Sequence, residues 1–248
     1  MNTKIKLCLF TVTYKRPELT EYVLNYYKNI KVEIEDLCDL KMICIGSDGE
    51  IGKTIAEKHG FEYIEYKNNP VSQKHNFGAQ SCKKYNPDGV IYVGSDDIMS
   101  IEFFKHYIGL IKNGFDFCGV TDIYFLTKDR LGYWNGYPKN STRFGEPIGP
   151  GKLYSKSLME KLNWRPWGDE NWDRKLDTLV TKNLSKLTYK GSTVTCEKLK
   201  GYFIDIKTNI NISDINDFIY DKEFGIDYIN QLNIDYYKIK DILITKKK

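Results

Sequence analysis

The chain has 248 residues, 41% of them hydrophobic, which is enough to build one large domain or a domain with an appendage. Its net charge is +4, and the basic residues are mostly lysines whose only dense run is the C-terminal Lys246-Lys247-Lys248. Because nucleic-acid-binding surfaces concentrate basic residues in a patch or stripe, this composition gives little support to nucleic acid binding but does not exclude it. No stretch of the sequence is apolar over the length that a membrane span requires.

The cysteines indicate the redox environment. They are Cys8, Cys38, Cys44, Cys82, Cys118 and Cys196. No pair has metal-ligand spacing, and three of them lie in apolar, strand-like runs where a free thiol behaves as a small hydrophobe. We therefore expect a reducing, cytoplasmic compartment. The apolar stretch at residues 5–12 is too short for a membrane anchor and lacks the cleavage pattern of a signal peptide.

Strand and helix signals alternate through the first half of the chain. The predicted strands are residues 5–13, 41–45, 61–66, 90–93 and 115–120, and the predicted helices are residues 17–28, 52–59, 72–84 and 101–113. Pro17 suits a first helical turn and Gly60 suits a helix C-cap. This order predicts an α/β fold with a mostly parallel central sheet, right-handed crossovers and flanking helices.

The second half of the chain is less regular. Residues 127–151 are rich in Gly, Pro, Asn and Arg, and a long irregular stretch inside a compact domain is usually functional or mobile. The further predicted elements are an ordered segment at 152–162, a helix at 169–184, strands at 188–196 and 201–206, and Tyr- and Ile-rich helices from residue 214 onward. We therefore expect a main domain at residues 1–212 and a C-terminal helical extension at 213–248.

Two adjacent carboxylates follow the predicted strand at residues 90–93. The strand ends in Gly94-Ser95-Asp96-Asp97. Ligands of open α/β sheets bind beyond the carboxyl ends of the strands, and paired carboxylates there suit Mg²⁺ or Mn²⁺ with a bound phosphate. The alternative is a solvated turn in which an Asp or Ser caps the helix that begins at Ile101.

Other polar segments follow the neighbouring strands. They are Thr11-Val12-Thr13-Tyr14-Lys15-Arg16-Pro17, then Ser47-Asp48, and then Lys74-His75-Asn76-Phe77-Gly78 on the third crossover. If the strand ends share one crevice, these segments bring an aromatic ring, carboxylates and cations together. A nucleoside diphosphate needs that combination: a stacking face for its base, a carboxylate for its ribose and cations for its phosphates.

In their order and spacing, these motifs resemble those of the GT-A fold glycosyltransferases, especially the members similar to family 2, over residues 5–212. Such enzymes commonly carry a segment like Thr11–Glu18 after the first strand. They also have an Asp after strand 2, a K-x-N-x-G segment and a D-x-D-type motif after strand 4. The resemblance implies a Rossmann-like GT-A domain with a nucleotide-sugar-binding half at 1–125 and an acceptor-binding half at 126–212.

The resemblance also implies which residues bind the donor, a nucleoside-diphosphate sugar. They are Thr11, Tyr14, Arg16, Asp48, Lys74, Asn76 and Asp96. Among them, Thr11, Tyr14 and Arg16 would line the nucleotide pocket. Asp48 would contact the base or the ribose, with Lys74 and Asn76 nearby.

A divalent metal, Mn²⁺ or Mg²⁺, is the implied cofactor on the diphosphate, with Asp96 as its ligand. The sequence departs from the family here, because the first carboxylate of D-x-D falls on Gly94. Asp97 is the expected substitute ligand. The segment Asp205-Ile206-Lys207-Thr208-Asn209 again places polar groups after a strand, either reaching back to the diphosphate or forming an exposed turn.

A second match lies in Trp167-Gly168-Asp169-Glu170-Asn171-Trp172-Asp173, which resembles the acceptor-contacting "WGGEN" or "ED" segment of GT-A enzymes. In inverting members a carboxylate here deprotonates the acceptor hydroxyl, within hydrogen-bond reach of it. The candidate bases are Glu170 first, then Asp169 and Asp173. The alternatives are that the acids only favour a helix N-terminus, or that the enzyme is retaining, since the usual Asp falls on Asn171.

The expected function is transfer of a sugar, of the hexosyl type, from a nucleoside-diphosphate sugar to a hydroxyl of a glycan or glycoconjugate. A UDP-sugar is the expected donor. One alternative is a glycosyltransferase that acts on modified DNA bases. Another is a nucleotidyltransferase, although Thr13–Arg16 contains none of the glycines its loop needs. The third is a catalytically inactive carbohydrate-binding module, which Gly94 and Asn171 both permit.

Overall fold

The computed structural model describes residues 4–208, 220–225, 228–229, 232 and 234–244. The strands are β1 (Ile5–Val12), β2 (Cys38–Gly46), β3 (Glu62–Glu65), β4 (Gly89–Gly94), β5 (Asp97–Met99), β6 (Phe117–Val120), β7 (Ile123–Leu126), β8 (Leu131–Trp134), β9 (Lys152–Ser155), β10 (Gly191–Val194), β11 (Phe203–Ile206) and β12 (Lys222–Phe224). The helices are α1 (Pro17–Glu33), α2 (Gly49–Lys58), α3 (Val71–Cys82), α4 (Ile101–Lys112), α5 (Lys156–Lys161), α6 (Leu176–Leu184), α7 (Cys196–Leu199) and α8 (Tyr236–Ile244). Within the described residues, no helix is both long and apolar enough to cross a membrane.

The larger sheet has seven strands in the order β10-β6-β9-β4-β1-β2-β3. All neighbours pair in parallel except β9, which is antiparallel to both β4 and β6. Strand β1 is mostly apolar, as expected where helices cover both faces of the sheet. Its Leu7 and Leu9 pack in one core cluster with α1 and α4, whereas Cys8 and Phe10 pack in a second cluster with α3. The predicted, mostly parallel sheet with flanking helices is confirmed.

Strand register brings the polar segments of the sequence to one edge of this sheet. Val12, the last residue of β1, lies opposite Ile45 of β2 and Gly94 of β4. The chain therefore leaves the three central strands at the same level. The loops that follow them meet there, which is where open α/β sheets bind ligands.

A second, five-stranded sheet has the order β12-β8-β7-β11-β5. Its short strand β5 pairs antiparallel with β11, so that Asp97 lies opposite Asp205. Strands β5, β7 and β8 were not expected from the sequence, and β8 falls inside the predicted irregular stretch at 127–151. Strands of three or four residues are too short to show a period-2 pattern, and partners distant in sequence stabilise them here.

The helix predicted at residues 169–184 is wrong in its first part, because α6 begins only at Leu176. Lys175 has a positive φ of 55°, which breaks a right-handed helix. The preceding segment is instead bonded to the start of α3, where the backbone N–H of Ser72 donates to the carbonyl of Trp172 at 2.9 Å. The apolar spacing that suggested a helix therefore belongs to a loop and a helix in succession.

Beyond residue 213 the sequence analysis expected only helices. The short strand β12 lies there, paired with β8, and α8 is helical as expected. Three features named in the sequence analysis lie outside the described residues. They are the expected domain boundary near residue 212, the residue Asn209 and the basic run Lys246-Lys247-Lys248.

Candidate active site

A cleft of about 940 Å³ opens where the loops of the two sheets meet. Its lining comes from the loops after β1, β4 and β11, from the start of α3 and from residues 148–150 and 173–177. The predicted site residues that line it are Tyr14, Arg16, Lys74, Asp96, Asp97 and Asp173. Those that do not line it are Thr11, Asp48, Asn76, Asp169 and Glu170.

The loop after β1 presents an aromatic ring to the cleft. Tyr14 is 38% exposed, and the ammonium groups of Lys15 and Lys74 lie 4.7 and 6.0 Å from the centre of its ring. Lys15 has a positive φ of 58°, which is uncommon for a non-glycine residue. Its backbone N–H donates to Asp48 Oδ1 at 2.8 Å, so Asp48 holds the loop in shape from behind.

Lys74 joins the loops that surround Tyr14. It is 1% exposed, and its ammonium donates to the carbonyl of Thr13 at 2.7 Å, to Ser47 Oγ at 2.6 Å and to Asn68 Oδ1 at 3.1 Å. Burial lowers the pKa of Lys74 to about 8, although the charge of Asp48 opposes that shift. One cation therefore fixes three separate loops at the base-binding end expected from the sequence.

Thr11 and Asn76 lie in the interior, away from the cleft. Thr11 is fully buried in β1. Asn76 donates to the carbonyl of Gly168 at 2.6 Å and accepts from the backbone N–H of Trp167 at 3.1 Å. The K-x-N-x-G segment thus uses its Asn to hold the acceptor-side segment against α3. The sequence analysis expected this side chain near the nucleotide, and the structure gives it a positioning contact instead.

An arginine from the same loop as Tyr14 also lines the cleft. Arg16 donates to Asp96 Oδ2 and to Ser95 Oγ, each at 2.7 Å. Burial alone would lower the pKa of Arg16, but the charge and hydrogen bond of Asp96 outweigh burial and raise it. Asp96 therefore holds the permanently charged guanidinium group of Arg16 in place at the end of β4.

Asp97 turns inward from the same corner. It is 3% exposed, its Oδ2 accepts from the backbone N–H of Gly94 at 2.7 Å, and its Oδ1 has no hydrogen-bond partner among the described residues. Burial, with the charges of Asp96 and Asp205, raises the pKa of Asp97 well above its ordinary value. A Cβ atom on Gly94 would lie 2.2 Å from Asp97 Oδ2. A side chain at position 94, where D-x-D has its first carboxylate, would therefore force Asp97 to move, because Asp97 Oδ2 fills that space.

A second ion pair faces this corner from β11. Lys207 donates to Asp205 Oδ2 at 2.6 Å, and both residues line the cleft. Burial raises the pKa of Asp205 to about 6, although the charge of Lys207 opposes the rise. Of the two alternatives that the sequence left open for this segment, the structure favours the one that reaches back to the site.

These carboxylates do not fit the divalent metal expected at Asp96 and Asp97. Among the described residues, no three His, Cys, Asp or Glu side chains are arranged to hold a metal ion. Mg²⁺ and Mn²⁺ prefer carboxylate oxygens, but Oδ2 of Asp96 and Oδ2 of Asp205 each bind a cation of the protein, and Oδ2 of Asp97 bonds to the backbone, which leaves Asp97 Oδ1 without a hydrogen-bond partner among the described residues. The corner already contains positive charge from Arg16 and Lys207.

The three candidate bases lie in different surroundings. Asp169 is 93% exposed and pairs with Arg165 at 2.8 Å. Glu170 pairs with Lys182 at 2.8 Å, outside the cleft. Asp173 lines the cleft, and its Oδ1 accepts from the backbone N–H of Val71 at 2.8 Å. The geometry thus reverses the order expected from the sequence.

A group of charged residues near positions 143–177 was not expected from the sequence. Lys152 is buried, donates to the carbonyl of Gly149 at 2.6 Å and pairs with Asp177 Oδ1 at 3.3 Å. Arg143 lies 4.1 Å above the ring of Tyr137. Lys152 stands inside a strand and Arg143 inside an irregular stretch, so neither spacing nor a motif marked them.

His75 is a buried residue in the wall of the cleft. Its Nδ1 is 2.8 Å from the carbonyl of Val71, so Nδ1 carries the proton and Nε2 accepts from the hydroxyl of Tyr92 at 2.6 Å. Burial lowers the pKa of His75 to about 4. The imidazole is therefore neutral at neutral pH.

This buried histidine predicts a loss of stability in acid. The unfolded chain binds a proton at His75 below pH about 6.5, whereas the folded chain does so only near pH 4. The free energy of unfolding should fall as the pH drops between these values, by on the order of 3 kcal/mol from this group. Urea unfolding from pH 7 to pH 4.5 measures it: His75→Gln should flatten the dependence, and His106→Gln should keep it. An unchanged slope in His75→Gln would show that His75 titrates normally.

Several solved structures are similar to this chain in fold. S. aureus TarS 1–349 superposes with a TM-score of 0.59 at 16% identity, over 82% of this chain and 60% of that one. Its complex with UDP-GlcNAc gives a TM-score of 0.57 at 15% identity, over 87% and 62%. Glucosyl-3-phosphoglycerate synthase from Mycobacterium tuberculosis, with Mn²⁺, UDP and glucosyl-3-phosphoglycerate, gives 0.51 at 11% identity, over 77% and 70%. The chain has the GT-A fold.

The GT-A fold alone does not name a reaction. The 4-diphosphocytidyl-2C-methyl-D-erythritol synthase from Anaerococcus prevotii DSM 20548 matches with a TM-score of 0.54 at 14% identity, over 86% of this chain and 92% of that one. The chain spans about three-fifths of the length of TarS 1–349. No protein-family model matches the sequence, and no curated protein matches it significantly. A function must therefore be argued from the cleft itself.

Proposed function

We propose that the chain is a glycosyltransferase that moves a hexosyl group from a UDP-sugar to a hydroxyl of a glycan or glycoconjugate. One observation carries the proposal: a single cleft joins the ring of Tyr14, the cations Arg16 and Lys207, and the carboxylate of Asp173. The UDP-GlcNAc complex of TarS and the UDP complex of the mycobacterial synthase support the choice of donor.

The donor end of the cleft has the chemistry of a nucleoside-diphosphate site. The exposed ring of Tyr14 offers a stacking face for the base, and buried Lys74 fixes the loops around it. Arg16 and Lys207 offer donors to phosphate oxygens in a partly buried place, where such hydrogen bonds are stronger than in water. Asp48 and Asn76 support this site from behind.

The acceptor end of the cleft has one well-placed base. Asp173 is bonded to the backbone N–H of Val71 through Oδ1 and lines the cleft. We propose it as the group that takes the proton of the acceptor hydroxyl as that oxygen attacks the anomeric carbon. Asp177 also lines the cleft, but it pairs with Lys152 and is therefore the weaker choice.

The six cysteines are free and buried, which supports the cytoplasmic location also proposed.

A nucleotidyltransferase is the second candidate, because the diphosphocytidyl synthase shares the fold over most of its length. Such an enzyme would form pyrophosphate from a nucleoside triphosphate, whereas a glycosyltransferase would release UDP from a UDP-sugar. Incubation with CTP or UTP and a sugar phosphate, followed by a pyrophosphate assay, separates the two activities. Action on modified DNA bases stays an alternative that a DNA acceptor in the same transfer assay would test.

A thermal-shift panel of UDP-, GDP- and dTDP-sugars is the direct test of the donor. We expect UDP-sugars to raise Tm, because a ligand at about 100 times its Kd stabilises the native state by about 2.7 kcal/mol. Free hexose and uridine at the same concentration serve as controls and should shift Tm far less. If no nucleotide sugar raises Tm and UDP is not released from any of them, the proposed function is wrong.

A further inference from the structure

Two cations approach the donor end of the cleft from different sheets. Arg16 stands at the start of α1, and Lys207 follows β11. Both side chains are mostly buried, at 12% and 7% exposure, yet both line the cleft. A phosphate group that enters this end therefore meets positive charge on two sides.

Each cation is held in position by an acid of the same corner. Arg16 bonds to Asp96 and Lys207 bonds to Asp205, at 2.7 and 2.6 Å. Strand pairing fixes these acids relative to each other, because the backbone N–H of Ile206 donates to the carbonyl of Asp96 at 2.8 Å. The two ion pairs thus form one rigid unit that spans both sheets.

The same geometry leaves little room for a metal ion. A carboxylate at residue 94 would require Asp97 to move, since the added Cβ atom would lie 2.2 Å from Asp97 Oδ2. Asp97 in turn faces the backbone of Gly94. Asp96, the other carboxylate of this turn, binds Arg16 through Oδ2.

Building on the proposed function, we propose that Arg16 and Lys207 bind the donor diphosphate directly, and that the chain binds its nucleotide sugar without a divalent metal. Guanidinium and ammonium groups both recognise phosphate, the former through paired N–H donors. When the bond between the anomeric carbon and the phosphate oxygen breaks, its electron pair stays on the leaving UDP. The acceptor oxygen forms the new bond, and its proton passes to Asp173. Arg16 and Lys207 stabilise the charge that develops on UDP.

Titration of UDP into the full chain by calorimetry, in EDTA and again in Mn²⁺, tests this inference. We expect the Kd of UDP to agree within about threefold between the two conditions, since the binding charges belong to the protein. Arg16→Met and Lys207→Met should each weaken UDP binding in EDTA by about tenfold or more, as loss of a charged hydrogen bond predicts. Their affinity for uridine, which has no phosphate, should change little.

Matched controls come from exposed ion pairs outside the cleft. Arg130→Met removes a pair with Glu223, and Lys41→Met removes a pair with Asp39. Neither should alter the Kd of UDP. Because Arg16→Met removes the ion pair with Asp96 and can unfold the chain, the double variant Arg16→Met with Asp96→Asn keeps the net charge of the corner unchanged. It should still lose UDP affinity while its Tm stays near that of the wild type.

The outcomes separate this inference from the proposed function. If UDP binds only when Mn²⁺ is present, or if Arg16→Met and Lys207→Met bind UDP as the wild type does, the metal-free diphosphate site is wrong and the glycosyltransferase proposal stands. If neither UDP nor a UDP-sugar binds in either condition, both proposals are wrong. UDP binding that ignores Mn²⁺ and depends on both cations supports the inference.

Discussion

Asp173→Asn should slow sugar transfer by about two to four orders of magnitude while UDP affinity stays unchanged, because general bases contribute rate accelerations of that size. The amide keeps an oxygen for the bond from Val71 N but cannot take a proton from the acceptor. A transfer assay with saturating donor measures kcat, and calorimetry measures UDP binding in the same variant.

Two carboxylates from the same segment serve as matched controls for Asp173. Glu170→Gln removes an ion pair with Lys182, and Asp169→Asn removes one with Arg165, both outside the cleft. Each should retain most of the wild-type kcat. Loss of transfer in Glu170→Gln with normal activity in Asp173→Asn would restore the order expected from the sequence and would place the base elsewhere.

Trp167→Ala should destabilise the fold by about 3–5 kcal/mol, the usual cost of removing a buried aromatic side chain. Trp167 is 2% exposed, and its ring centre lies 4.8 Å from that of His75, 5.3 Å from Tyr92 and 6.1 Å from Phe10. The variant would open a cavity between the sheet and α3. The midpoint of urea unfolding measures the change.

The neighbouring Trp172 provides the control for that substitution. It is 37% exposed, and its contacts with Ser72 use its backbone. Trp172→Ala should therefore change the free energy of unfolding by no more than about 0.5 kcal/mol. Equal destabilisation by the two variants would show that the segment is packed differently from the arrangement described.

The centre of the larger sheet could be predicted because β1, β2 and β4 are its longest strands and are largely buried, so their apolar runs stand out. The ends of β1 and β4 then located the cleft, and Tyr14, Arg16 and Asp96 were found as its lining. A strand was predicted at residues 201–206, where β11 lies, but the short strand β5 and its pairing with β11 could not be predicted, because this pairing joins segments more than 100 residues apart. The sequence therefore did not decide whether the segment that contains Asp205 contributes to the cleft.

The remaining differences between the predicted and the observed site arise from local geometry. Glu170 and Asp173 are three residues apart and chemically similar, but Glu170 pairs with Lys182 whereas Asp173 bonds to the start of α3. The doublet at the end of β4 gave no sign that Asp97 faces inward, since that depends on the missing side chain of Gly94. Asn76 matched a donor-binding motif by spacing, although its side chain points to Trp167.

The order of strands has a consequence for how this chain is made and engineered. Strand β9 inserts between β4 and β6, and β11 inserts between β7 and β5, so later segments complete sheets that earlier ones begin. A ribosome delivers the N-terminal part first, and that part cannot assemble the phosphate-facing corner before β11 emerges. Residues 1–125 are therefore not expected to fold as an independent unit. A chimera that exchanged residues 126–212 for those of another enzyme would have to rebuild both sheets.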